Sequence, residues 1–267
     1  MKAPKWSYCF SNHQQKQEGV PFTLCNRNTV EFAVSGQYAL FSDILTRAGG
    51  EKTSYHIPTY EALKGVMQSV FWKPTIIWIV DDVRVMNPIR FARKGIRPIK
   101  YHGGNELAYY TYLEDVRYQV RAHFEWNMNR PELAHDRNEN KYHNMAKRMI
   151  ERGGRRDIFL GVRECQGYVA PCKFGEGAGA YDDCETIPYS LMEHGLTYAD
   201  EAVCEEDKGK LTLRLWSPKM ENGVIHFIRP EECSIKRHIR DMEIKSFGNG
   251  KFIGSEEFEG GEIDGLD

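Results

Sequence analysis

The sequence predicts an α+β fold: a split βαββαβ unit followed by a small antiparallel β-sheet unit. Three observations predict it. Between residues 29 and 163, strand-like alternation and helix-like spacing follow one another in that order. Residues 75–80, TIIWIV, form a continuous apolar run of strand length, suited to the centre of a sheet. Beyond Arg163 the clear patterns are strand-like, and an Asn-Gly turn signal lies among them.

Residues 1–28 are polar, with scattered aromatics and no period, and are expected to be a poorly ordered extension. A domain over 29–163 begins with a half-buried strand, in which Val30, Phe32 and Val34 alternate with Glu31, Ala33 and Ser35. The following loop carries Gly49-Gly50-Glu51-Lys52. A double glycine followed by lysine can cradle a phosphate, which makes Lys52 a binding candidate, although a Walker loop's spacing is missing. Thr59 caps a helix whose buried face is Ala62, Leu63, Val66, Met67 and Val70, with Lys73-Pro74 as its stop. After the apolar strand comes a basic stretch, RFARKGIRPIKYHGGNE, expected to be an irregular insertion.

The cleanest strand follows. Val116, Tyr118, Val120, Ala122, Phe124 and Trp126 alternate with Arg117, Gln119, Arg121, His123 and Glu125. With open sheet beneath them, Arg117, Arg121 and His123 suit contact with phosphate and base. Residues 138–163 supply a basic helix with Met145, Met149 and Ile150 on its apolar face, a Gly153-Gly154 stop, then Arg155 and Arg156 and a short strand at 158–160. Cations beside a glycine turn suit a polyanion whose backbone comes close, so Gly153, Gly154, Arg155 and Arg156 are RNA-binding candidates. This βαββαβ order is that of the ferredoxin-like split motif, with both helices on one face of a four-stranded sheet.

Residues 164–247 are expected to form a C-terminal β-sheet domain. Strands at 210–216 and 224–228 would form a hairpin across the Asn222-Gly223 turn, and 248–267 would be an acidic, flexible tail. Charge follows the same division. Residues 84–163 hold 17 Lys+Arg against 9 Asp+Glu, whereas residues 164–267 hold 11 against 22. A strongly basic segment inside a chain of net charge -2 points to a nucleic-acid face. No apolar run approaches the roughly 20 residues of a membrane helix. The N-terminus lacks a signal-type apolar core, so a cytoplasmic protein with no membrane partner is expected. Seven cysteines without a CxxC pair argue against a metal or disulfide framework, and no metal or other cofactor is expected.

The blocks YALFSDILTRAGGEKTSY, IPTYEALKGVMQSVFWKPTI, VRVMNPI, GIRPIKYHGGN, YYTYLEDVRYQVRAHFEWN, GGRRDIFLGVRECQGYVAPC and WSPKMENG resemble the type I-C CRISPR-associated subunit, the family-five, d-subgroup member of the RAMP superfamily. The resemblance covers roughly residues 30 to 245. It implies a ferredoxin-like RAMP domain followed by a small β-sheet domain. It also implies an endoribonuclease that recognises the repeat hairpin of pre-crRNA and cuts it without metal. The enzyme would then stay on the 5′ handle, beside the backbone and large subunits of the surveillance complex.

The family's described catalytic set is a tyrosine at the end of the first helix and a Lys-His pair near the start of the second. The matching residues here are Phe71, Lys141 and Tyr142, with the histidine one place later as His143. That shift rotates the imidazole by about 100° around the helix. Two expectations follow. In one, Lys141 stabilises the phosphate while Tyr142 and His143 share proton transfer, with Tyr55 or His123 nearby. In the other, the chain only binds the 5′ handle. A generic nucleic-acid-binding module is a third reading, distinguished by lack of preference for the repeat hairpin.

Overall fold

The computed structural model describes residues 27–244 except Tyr101 and Asn105. The expectations for the acidic tail, and for the N-terminal extension apart from Arg27 and Asn28, lie outside the described residues. Asn28 is buried and donates from Nδ2 to the Phe124 carbonyl at 2.8 Å, so the chain is already anchored there.

The elements are β1 (Val30–Ala39), α1 (Ile44–Ala48), α2 (Tyr60–Val70), β2 (Ile76–Val85), β3 (Phe91–Ile96), β4 (Ala108–Trp126), α3 (Glu139–Glu151), β5 (Ile158–Phe159), β6 (Gln166–Pro171), β7 (Ile187–Pro188), β8 (Met192–Thr197), β9 (Lys210–Trp216), β10 (Lys219–Met220), β11 (Val224–His226) and β12 (Ile235–Asp241). The main sheet runs β11-β2-β4-β1-β6-β5, and β3 pairs with the first part of β4. Every described pairing between these strands is antiparallel. The result is a mixed helix-and-strand fold built mostly on antiparallel sheets. No helix of the described residues is long and apolar enough to cross a membrane.

β4 is the spine. Its 19 residues are long enough to pair with β3 at one end, β1 in the middle and β2 at the other. Asp115 takes a positive φ of 50° where the strand passes from arm to sheet, a conformation uncommon for a side chain with a Cβ. α2 and α3 cover one face. Thr59 caps α2 by accepting from the Ala62 N–H, and Leu63, Val66, Met67 and Val70 pack inward as their spacing predicts. In α3 the fully buried residues are Tyr142, Ala146 and Ile150, while Met145 and Met149 are only partly covered. The apolar stripe is therefore rotated from the one expected, because the large Tyr142 ring takes the innermost place.

Three strand expectations change. The basic insertion is regular: residues 91–96 and 108–113 form an antiparallel arm. The strand beside β1 is β6, not residues 158–160, which form a two-residue strand against β6. The 210–216 and 224–228 hairpin does not form. β9 lies between β8 and β12, while β11 joins the main sheet on β2. The Asn222-Gly223 turn is real, with φ of 49° and 78°, but it closes a Glu221–Val224 bridge at the end of β10.

A buried ionic cluster fixes the β12-β9-β8 sheet to α2. Lys64 of α2 sits between Glu61 and Glu201, and Arg214 of β9 hydrogen-bonds Thr197 and His194 and faces Glu61.

Candidate nucleic-acid interface and reaction site

The start of α3 brings two of the three predicted catalytic residues together. Asn138 caps the helix by accepting from the Lys141 N–H, which places Asp136 beside its first turn. Lys141 Nζ donates to Asp136 Oδ1 at 2.9 Å, and Tyr142 Oη donates to Asp136 Oδ2. The Thr75 hydroxyl donates to Tyr142 Oη at 2.9 Å. Hydrogen bonds from Tyr142 and Lys141 pull the Asp136 carboxyl down to about 2, so it is ionised at neutral pH. Burial, and then the Asp136 carboxylate, push the Tyr142 phenol upward. The same carboxylate raises Lys141, which stays charged.

The Tyr142 ring is fully buried and meets Phe71 edge-on at 5.7 Å, with Phe124 and Trp126 around it. Phe71 is buried and brings no hydroxyl. His143 lies apart: burial and then Lys147 lower its pKa, with a hydrogen bond to the Asn28 backbone partly opposing. Consecutive helical residues project about 100° apart, so Lys141, Tyr142 and His143 do not converge on one point. Asp136 was not among the predicted residues. It ends a short 3-10 helix, Pro131–Asp136, just before the α3 cap, where no periodic signal marks it.

Tyr55 and His123 are elsewhere. Tyr55 Oη accepts from the N–H groups of Ile44 and Glu193, both at 3.4 Å. His123 is buried, with Nδ1 2.9 Å from Asp81 and Nε2 3.5 Å from Glu125. Burial opposes its charge, but the hydrogen bonds to Asp81 and Glu125 prevail and raise it to about 9.

The polar face of β4 is not the open surface expected. Residues 174–182 fold over it. Gln119 is buried, donates to the Glu176 carbonyl and accepts from the Gly175 N–H. Arg84 holds Asp182 through two 2.7 Å contacts and donates to the Gly177 carbonyl. Arg121 is paired with Glu31 and Asp82 under the Phe174 ring. Arg117 stays exposed, with no ion pair among the described residues.

The arm carries what that face lacks. Lys94 lies 3.1 Å from the centroid of Tyr38, Arg93 is 4.4 Å from Tyr109, and Lys52 is 5.4 Å from Tyr110. Arg90, Arg97 and Lys100 are exposed alongside, as are the rings of Phe91 and Tyr109. Cations interleaved with aromatic faces match what unpaired nucleotides need: charge for phosphates and flat rings for bases. The period-two tyrosines at 110 and 112 were the available signal for the arm.

The glycine turn after α3 is as predicted, with Gly153 and Gly154 at φ 82° and 108°. The Arg155 and Arg156 N–H groups both donate to the Ser69 carbonyl of α2, fixing the turn while both side chains stay exposed. Among the described residues, no His/Cys/Asp/Glu group is placed to hold a metal ion.

Comparison with known proteins agrees with these features. The Cas5d family, described as "CRISPR-associated protein (Cas_Cas5)", matches residues 29–228. A CRISPR pre-crRNA endoribonuclease Cas5d of Mannheimia succiniciproducens is 26% identical over 189 residues, 62% of this chain and 78% of that protein. One of the same name from Thermus thermophilus is 28% identical over 52% of this chain and 62% of that protein. A crystal structure of a CRISPR-associated protein superposes with a TM-score of 0.66 at 32% identity, covering 78% of this chain and 96% of that one. The chain belongs to the Cas5d family of CRISPR-associated proteins.

Proposed function

We propose that this chain is a pre-crRNA endoribonuclease that binds the repeat hairpin, cuts it without metal and stays on the 5′ handle in a type I-C surveillance complex. Its partners there would be the backbone and large subunits. The observation that carries the RNA reading is the arm region, where Lys52, Arg93 and Lys94 sit on tyrosine faces and, among the described residues, Lys52 and Lys94 have no carboxylate partner. Membership of a family whose curated relatives are named pre-crRNA endoribonucleases supports the reaction. The order β2-β4-β1-β6, with α2 and α3 as crossovers, supports a ferredoxin-like reading of the core.

In the reaction, O2′ of one nucleotide attacks its own 3′ phosphate, the O2′–P bond forms and the P–O5′ bond breaks. The products are a 2′,3′-cyclic phosphate and a 5′-hydroxyl. One group must take the O2′ proton and another must protonate the leaving O5′. Lys141 is the cation for charge developing on the phosphate, oriented by Asp136, which Tyr142 holds in place. Arg155 and Arg156 follow the RNA backbone, with Gly153 and Gly154 permitting close approach. Lys52 and Arg117 extend the same positive surface. His143 is neutral at pH 7 and so has the form of a general base, but it acts only on RNA passing the far side of the α3 turn.

A second reading, of a chain that only holds the 5′ handle, has an observation behind it. Phe71 has no hydroxyl, and Tyr142 is buried. Single-turnover cleavage of a labelled repeat hairpin in EDTA separates the two. Cleavage to a cyclic phosphate, lowered tenfold or more in Lys141→Ala by the usual size of such effects (about 10²-fold for one electrostatic group), supports the nuclease. Tight hairpin binding without cleavage supports the handle-binding subunit.

A further inference from the structure

A cleft of about 610 Å³ opens beside α2, between the loop after β1, the β5 end and β8. Its volume falls in the roughly 300–1,000 Å³ range of small-ligand sites. Two carboxylates line it, and they differ. Glu61 is occupied: it accepts from the Leu196 N–H at 3.1 Å and faces Lys64 and Arg214. Glu193 is not. Its side chain is only 16% exposed, yet among the described residues its carboxylate accepts no hydrogen bond and has only Arg47 Nη2 at 3.7 Å. Glu193 pairs with Leu215 of β9, and the β8 bulge follows at once, leaving His194 out of the ladder. Burial raises its pKa, as it does for an acid short of partners. Its oxygens face the cleft and not a protein hydrogen-bond donor, so they are open to a donor group that enters it.

The cleft's other walls define that partner. Phe159 and Val162 give an apolar side, and Arg47 and Lys52 bring positive charge. We propose that the cleft reads one unpaired guanine nucleotide of the bound RNA, with Glu193 accepting from its N1–H and N2–H groups. Guanine alone among the four bases presents two adjacent donors on its Watson–Crick edge. Adenine and cytosine set an acceptor beside their amino group, and uracil flanks its one donor with two carbonyls, so each places an acceptor against the carboxylate. Arg47 stays beside Glu193, and Lys52, on the same cleft, is the cation for the phosphate. The proposal rests on the RNA-binding reading and adds base specificity to it.

Gly65 of α2 supplies a mild way to close the cleft. A Cβ there meets nothing within 4 Å, and leucine is a better helix former than glycine, so Gly65→Leu fills the cleft without straining the fold. The test is equilibrium binding of GMP, IMP, AMP, CMP and UMP to the full chain, beside Glu193→Gln and Gly65→Leu, with thermal unfolding as the folding control. GMP is expected to bind most tightly, by about tenfold or more over AMP, CMP and UMP, the scale of one bidentate base contact. IMP, which lacks the 2-amino group, falls between. Both variants lose the preference while unfolding like the parent. Equal binding of all five nucleotides, binding of none at millimolar concentration, or a guanine preference unchanged in Glu193→Gln overturns the pocket. Hairpin binding measured in parallel separates the two claims. A hairpin that binds while GMP shows no preference removes the pocket alone. A GMP preference without hairpin binding keeps the pocket as a nucleotide site and removes the RNA reading.

Discussion

The polar face of β4 and the arm formed by β3 and the start of β4 are both rich in cations, yet they differ in what those cations touch. On the sheet face, Arg84, Arg121 and His123 are paired with Asp182, Glu31, Asp82, Asp81 and Glu125, and a glycine-rich loop closes over Arg84 and Arg121. On the arm, Lys94 and Lys52 rest on tyrosine rings and make no ion pair among the described residues, and Arg93 has only a 3.9 Å contact to Glu51. Charge in a sequence is thus of two kinds: one part holds the fold together, and the other remains for a polyanion.

The comparison can be broken most forcefully at Arg84. Arg84→Ala leaves the Gly177 carbonyl without its donor and Asp182 with only the Gly179 N–H; because Asp182 is partly exposed, the cost lies below the about 3–5 kcal/mol of a fully buried pair. We expect a large loss of thermal stability. An unchanged melting curve would show that the loop is not held from this face.

Arg93→Ala/Lys94→Ala reverses the pattern. Stability should stay close to the parent's, while RNA affinity falls and the slope of log affinity against log salt becomes shallower by about 1.4 for two lost contacts to a single strand. Arg155→Ala/Arg156→Ala gives the same kind of effect, smaller by however much of the turn the RNA leaves uncovered. An unaltered salt slope in that variant would place the turn off the RNA.

A pH titration of stability sharpens the contrast further. His123 is raised to about 9, so its pairing stabilises fully below its unfolded value near 6.5, and that contribution is lost as pH rises towards 9. Glu125, pulled down to about 2 first by His123 and then by Arg229 against burial, contributes above about 4.5 and loses this as pH falls towards 2. The network is therefore strongest between roughly pH 4.5 and 6.5. His123→Gln should flatten the alkaline limb of unfolding midpoint against pH. An alkaline limb as steep as the parent's would assign the loss to other groups.

Much of this division was legible in the sequence, and the exceptions are physical. Alternation at Val30, Phe32 and Val34 and the spacing of Leu63, Val66, Met67 and Val70 report burial directly, so β1 and α2 were clear. Gly153 and Gly154 were clear because only glycine readily takes their φ. Arg121 and His123 misled, because alternation identifies a face but not what covers it: Phe174 lies on Arg121 from some 50 residues further along the chain, and Asp81 and Glu125 take the His123 nitrogens. The Asn222-Gly223 turn was read correctly but assigned the wrong strands: a turn fixes local reversal, while β9 found its partners in β8 and β12. The reaction site was legible only in part. Lys141 and Tyr142 meet through Asp136, whose position depends on tertiary packing, and His143 is turned away by the helix itself.

The most direct measurement is repeat-hairpin affinity as a function of salt for three proteins side by side: the parent, Arg93→Ala/Lys94→Ala and Arg121→Ala, each corrected for the folded fraction. RNA held by the arm predicts a shallower slope and weaker binding in the arm variant alone, with the folded Arg121→Ala protein like the parent. The reverse, a parent-like arm variant and a weakened Arg121→Ala, would mean that the loop opens and the RNA lies on the sheet face, and the account would be contradicted.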